Sequence, residues 1–197
     1  RDIDNTTIVQ RRTNEQSLQV CVDDLSDGDG RAIYKESNFD LINYGRIKMF
    51  IHAEPNNGDI LSDNEINAFL RFGSDYENNY YEIELPLKVT RPSLIDQNSS
   101  NLARIIWPEE NEINLSIEEL LSLKSLRNRE NIDINSPFSK ISSNGKYILR
   151  IKGRPSIGSI LNFMIGVKNP LSEDRSSKSA CLWFNELRLT DFDRTKG

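Results

Sequence analysis

The run NYYEIELPLKV (79–89) constrains this chain most, because its residues alternate strictly between apolar and polar. Tyr81, Ile83, Leu85, Leu87 and Val89 make one apolar row, while Tyr80, Glu82, Glu84 and Lys88 face the other way. A two-residue period belongs to a β-strand, whose successive side chains point to opposite faces. Pro86 has no N–H to donate, so the strand lies at an edge or is interrupted there. The same period recurs in GRIKMFIHAE (45–54). There Ile47, Met49, Ile51 and Ala53 share one face, and Lys48, Phe50, His52 and Glu54 share the other. Leu18, Val20 and Val22 predict a strand ending near Asp23. Ala68, Leu70 and Phe72 predict another that stops at Gly73.

Turn-forming stretches separate these segments. DLSDGDGRA (24–32) reads as a turn in which Gly28 and Gly30 are free to take positive φ. Residues 91–114 read as an irregular excursion leading to a Trp107-Pro108 turn, and SEDRSSKS (172–179) reads as the most flexible link. One helix is predicted over about 116–130. Ser116 and Glu119 have capping-box spacing, apolar residues follow at helical intervals, and the acidic start and basic end suit the helix dipole. KYILRIKG, NFMIGVKNP and ACLWFNELRLTDF complete about eight strands, with Trp183, Leu187 and Leu189 alternating along the last. So many strands with one helix predict an all-β, jelly-roll-like β-sandwich carrying one inserted α-helix.

Composition limits function. The 197 residues carry 25 basic and 30 acidic side chains, a formal net charge of −5. Nucleic-acid binding needs a cationic surface, so that class is set aside, as is a polybasic membrane patch. No apolar run approaches the roughly 20 residues of a membrane helix. The start, RDIDNTTIVQ, has neither a signal-peptide pattern nor an initiator Met. Arg1 is therefore expected to mark a cut, making the chain a piece of something larger.

Histidine and cysteine are scarce, and no zinc-ligand spacing is present. Cys21 and Cys181 lie 160 positions apart, so only the fold can bring them together. A disulfide between them needs an oxidising compartment, and two partly buried free thiols are the other reading. Asp23, Asp24, Asp27 and Asp29 form a carboxylate cluster in a Gly-rich turn. Asp23, Asp27 and Asp29 are a candidate calcium set, although the EF-hand pattern fails at Asn38, and a plain turn accounts for the same residues. His52 and Glu54 sit two apart on one strand face, where a carboxylate can orient an imidazole. Acid–base catalysis also needs a cleft and a further partner, and a strand-face hydrogen bond is the plainer reading. Tyr76, Tyr80 and Tyr81, with Glu77, Asn78 and Asn79, form a candidate sugar platform or a packed interface loop. NSS (98–100) and NLS (114–116) match the N-glycosylation pattern, which in a bacterial protein would mean nothing. No metal, cofactor or catalytic residue is assigned.

YGRIKMFIHAE, FLRFGSDYENNYYEIELPL, WPEENEINL, MIGVKNP and LWFNELRLTDFD occur here in that order. Together they resemble the SprA/Sov family of gliding-motility cell-surface proteins of Bacteroidetes, over about residues 18–193. Gly45 departs from the larger, often basic residue expected at its position, and 91–106 and 131–146 carry little of the pattern. The resemblance implies a fragment of a giant outer-membrane barrel, the translocon of the type 9 secretion system. Its implied partners are the rest of the same chain, PorV-type and plug proteins, and secreted cargo. It supplies no catalytic residue. The expectation is a single extramembrane β-sandwich domain over 1–197, not itself membrane-spanning. It is associated with the outer membrane on the cell-surface or periplasmic side, and its role is structural and non-enzymatic. A carbohydrate-binding jelly-roll module at the cell surface is the alternative. A glycosidase or protease is a third class.

Overall fold

The structure, a computed structural model, describes residues 17–91 and 100–193. Its strands are β1 (Leu18–Leu25), β2 (Gly30–Phe39), β3 (Arg46–Pro55), β4 (Asn67–Gly73), β5 (Tyr80–Pro86), β6 (Ile113–Ser116), β7 (Phe138–Ile141), β8 (Ile148–Lys152), β9 (Ile160–Lys168) and β10 (Lys178–Thr190). Helices α1 (Leu102–Ile106) and α2 (Ile117–Arg129) flank a 3-10 turn, Glu109–Asn111, and β6. One antiparallel sheet runs β1-β10-β3-β6 and the other β2-β9-β4-β5-β8-β7.

The pairings are nested: β1 with β10, β2 with β9, β3 with β6, and β4 with β5. Alternate pairs fall in alternate sheets, and β10–β3 and β9–β4 contacts join them. That is a two-chain ribbon wound into a jelly roll, as the alternation predicts. The segment α2–β7–β8 enters between β6 and β9 and widens the second sheet beside β5.

The predicted apolar faces meet between the sheets. Ile47, Met49, Ile51 and Ala53 of β3 join Tyr81, Ile83 and Leu85 of β5 in one buried cluster. Strand β5 has β4 on one side and β8 on the other, so the edge reading of Pro86 fails and the strand ends at that residue. The chain then continues by other bonds, with the Leu87 N–H donating to the Ile66 carbonyl at 3.0 Å.

Several local expectations need correction. Gly28 has φ +80°, but Gly30 opens β2 with no positive φ. Among the described residues ten strands replace about eight: the ten-residue β2 goes unread because it is exposed along nearly its whole length and shows no apolar row, and β6 and β7 have four residues each, too few for alternation to register. Helix α1, five residues long, falls in the supposed irregular excursion for the same reason. Helix α2 sits where predicted, yet the Ser116 side chain makes no cap bond. The Glu119 carboxylate accepts instead from the Ser143 N–H at 2.5 Å, tying the helix to the loop after β7. Residues 172–177 are tied by hydrogen bonds, with Asp174 accepting from Ser172 Oγ and Ser176 Oγ, and Lys178 and Ser179 already belong to β10.

Strand β10 does not present Trp183, Leu187 and Leu189 as one row. Ala180, Leu182 and Phe184 enter the core, and Trp183 faces away beside its register partner His52. The register shifts between Asn185 and Arg188, with Glu186 at φ +51°, and Leu189 then packs on the core while Leu187 is exposed. One extra residue in a bulge inverts the alternation beyond it.

Gly45 also has a spatial reason. A Cβ there would stand 2.7 Å from the Asp191 Cβ, so this chain has no room for a larger side chain where β10 ends.

Candidate functional site

The outer face of the six-stranded sheet carries the densest polar arrangement. Glu82 and Glu84 point away from the core on β5, yet each is only 2% exposed. Carboxylates so buried need a full set of donors, since desolvation otherwise removes their charge. Neighbouring strands supply them. Arg71 of β4 donates through Nε to Glu82 Oε2 at 2.6 Å, and Arg150 of β8 donates through Nη1 to Glu82 Oε1. The same Nη1 lies 3.1 Å from Glu84 Oε2, and Lys168 Nζ of β9 lies 3.0 Å from that oxygen. Asn67 Nδ2 donates to Glu84 Oε1 at 2.6 Å. The result is a ladder of alternating charge, Arg71–Glu82–Arg150–Glu84–Lys168, that clamps β4, β5, β8 and β9 side by side. Burial lowers the pKa of both arginines, against the pull of nearby Tyr80, and a guanidinium keeps its charge regardless.

These five residues were not among the sequence candidates. The signal was present: FLRF, EIEL and LRIK each place a charge on the face opposite an apolar row. What the sequence lacked was the register that sets them side by side.

Beside the ladder lies a groove of about 580 Å³ over Gly30, Ala32, Phe69 and Met164. The Phe69 ring lies across Gly166, where a Cβ would stand 2.6 Å from Phe69 Cζ. The tyrosine candidates divide around this face. Tyr81 is 0% exposed and belongs to the core, which corrects its place in the platform. Tyr80 is buried under the Arg71 guanidinium, 4.1 Å from the ring centroid. Tyr76 meets Tyr34, which the sequence reading did not single out, with ring centroids 5.3 Å apart.

His52 lies on the outer face of the other sheet. It is 5% exposed and both nitrogens have partners: Nδ1 lies 2.6 Å from the Ile106 carbonyl and Nε2 lies 2.8 Å from Glu54 Oε1. Trp107 and Trp183 flank the ring at 5.9 and 5.1 Å. This arrangement holds the α1 segment against β3 and leaves the imidazole no face turned to solvent.

The aspartates of the calcium set do not converge. Asp23 accepts from Asn56 Nδ2, Asp27 accepts from the Ser172 N–H and hydroxyl, and Asp29 lies 3.9 Å from Arg31. Among the described residues, no three His, Cys, Asp or Glu side chains gather as a metal site. Cys21 and Cys181 are direct register partners on β1 and β10 and are joined by a disulfide. Asn114, of the NLS triplet, lies in β6, and its Oδ1 accepts from Arg46 Nε. Asn98 and Ser99, of the other triplet, lie outside the described residues, as does Arg1.

Fold and side chains together define a jelly-roll sandwich domain whose buried charges and single histidine hold its two outer faces in place. The chain belongs to the SprA_N family, described as motility related/secretion protein, whose model matches residues 1–197. No curated protein matches the chain. Among the described residues, no helix is long and apolar enough to cross a membrane, which leaves β-barrel spans untouched.

Proposed function

We propose that this chain is a non-enzymatic, extramembrane bracket of a giant outer-membrane translocon of the type 9 secretion system. It works by shape and surface contact. A pore wide enough for folded proteins has to be covered or lined, and a stiff sandwich does so without bond chemistry. Its partners are the remainder of the translocon chain, PorV-type and plug proteins, and passing cargo. It sits on the cell-surface or periplasmic side of the outer membrane.

The observation that carries this reading is family membership across residues 1–197, in a family described by motility and secretion. Two features support it. The buried polar groups singled out above, Glu82, Glu84 and His52, are engaged within the fold, as suits a rigid part. The Cys21–Cys181 disulfide suits an oxidising compartment such as the periplasm or cell surface.

The test is a density map of the intact outer-membrane complex. The expected result is the ten-strand sandwich seated against the barrel, in contact with a partner subunit. A sandwich found with no contact to the barrel overturns the reading. Hydrolase turnover lost in His52→Ala also overturns it.

A further inference from the structure

One row of side chains crosses the whole outer face of the six-stranded sheet. Tyr34 pairs in register with Met164, Met164 with Arg71, Arg71 with Glu82, Glu82 with Arg150, and Arg150 with Ser139. Direct partners in antiparallel strands share a face. The row therefore forms a continuous track perpendicular to the strands, about 24 Å long at about 4.8 Å per strand.

The track is rich in donors, and both of its buried carboxylates are already occupied. Every oxygen of Glu82 and Glu84 already accepts a hydrogen bond. Among the described residues, Arg150 Nε and Nη2 make no hydrogen bond, and Lys168 Nζ makes one of its three. With the neighbouring rows counted, Arg71, Arg150, Lys152 and Lys168 stand against Glu36, Glu82 and Glu84, four cations to three carboxylates, so the face presents net positive charge inside a chain of net charge −5. At one end, Tyr34 is 60% exposed and leans on Tyr76, offering an aromatic surface to a ligand. The groove beside the track is lined on its apolar side by Ala32, Phe69 and Met164.

We infer that this face binds a linear acidic oligosaccharide, one that carries uronate carboxylates. A sugar ring rests on Tyr34 and Tyr76, and its carboxylates meet Arg150 and Lys168. The sheet interior favours a glycan over an acidic peptide. Strands β9, β4, β5 and β8 are paired on both sides, so a peptide lying across them finds no backbone partner. A sugar chain needs only ring faces and side-chain donors. This inference stands apart from the translocon reading, since a bracket at a pore mouth works with or without a glycan.

Isothermal titration of the 197-residue protein with tetragalacturonate tests it, with cellotetraose and a tetraglutamate peptide as comparisons. The expected result is saturable binding of the uronate alone, weakening as salt is raised. Tyr34→Ala should weaken it by about tenfold at an unchanged melting temperature, and Lys168→Gln should weaken it as much while lowering the melting temperature, because Glu84 loses its Lys168 partner. Tyr34 stands outside the charge ladder, so its variant separates loss of binding from loss of fold. Absence of saturable binding overturns the inference. So does equal binding of cellotetraose or tetraglutamate, or wild-type affinity in both variants.

Discussion

His52 Nδ1 lies 2.6 Å from the carbonyl oxygen of Ile106, 54 positions along the chain. A carbonyl only accepts, so Nδ1 donates to it, while Nε2 lies 2.8 Å from Glu54 Oε1 on the other side of the ring. One imidazole thereby pins α1 and Trp107 to the sheet. His52→Ala removes both bonds and opens a space between two indoles, costing about 2–4 kcal/mol. Urea unfolding should show that loss. Intrinsic fluorescence should shift to the red as Trp107 meets water, and proteolysis should quicken within 100–108.

The disulfide closes a loop with a sequence separation of 160 residues. Chain entropy assigns a cross-link of that span about 5 kcal/mol, and measured values for disulfides usually run lower, about 2–4 kcal/mol. The double variant Cys21→Ser/Cys181→Ser should unfold at a clearly lower urea midpoint than the oxidised protein. It should match the reduced wild type in dithiothreitol.

Tyr81 is fully buried, and its hydroxyl has no hydrogen-bond partner among the described residues. Burial pushes its phenol up to about 12, against the opposing pull of the Arg127 charge. A folded-state value above the unfolded one stabilises the protein below about pH 10, and this stability disappears as pH rises through about 12. Tyr81→Phe should raise stability at pH 7 by about 1 kcal/mol, since an unpaired hydroxyl is removed. It should also flatten the alkaline fall of the urea midpoint.

Gly153 and Gly145 separate backbone strain from crowding. Their φ angles are +69° and +74°, but a Cβ at Gly153 would stand within van der Waals overlap of the Asn78 carbonyl, while one at Gly145 meets nothing within 4 Å. Gly145→Ala should cost about 1 kcal/mol, the price of the left-handed backbone alone. Gly153→Ala should cost at least about 2 kcal/mol more, because the loop 74–79 must move. Thermal melts of the two variants check the difference.

Asp75 organises that loop. Its Oδ1 accepts from the N–H groups of Glu77, Asn78 and Asn79, and its Oδ2 from Asn79 Nδ2. Burial works to raise its pKa, but the Asn79 side chain and the three N–H groups outweigh it and hold the carboxyl at about 2. A depressed folded value gives stability above the unfolded pKa near 4, and that stability drains as pH falls through about 2. Asp75→Ala should therefore be less stable than wild type at pH 7. The gap between their melting temperatures should close between about pH 4 and pH 2.

The residues Ile47–Ala53, Tyr81–Leu85 and Ile117–Arg129 announce their own structure in the sequence. Strand alternation and helical spacing are local consequences of backbone geometry, and a contiguous stretch contains all the information they need. The sandwich class follows from counting such stretches. The words that carry the family resemblance lie largely on β3, β4, β5, β9 and β10.

Partnership across the chain is a different quantity. That Cys21 faces Cys181, that Glu82 lies between Arg71 and Arg150, and that Tyr34 rather than Tyr81 joins Tyr76 all depend on register between strands far apart in sequence. A single bulge at Glu186 was enough to turn Leu189 inward and break the row begun by Trp183. Local pattern revealed the longer alternating strands, their apolar faces, the helix α2 and the family resemblance, and it missed β2, β6 and β7. The winding decided which polar groups meet, because pairing energy is gained only once distant segments are aligned, and a shift of one residue exchanges the two faces.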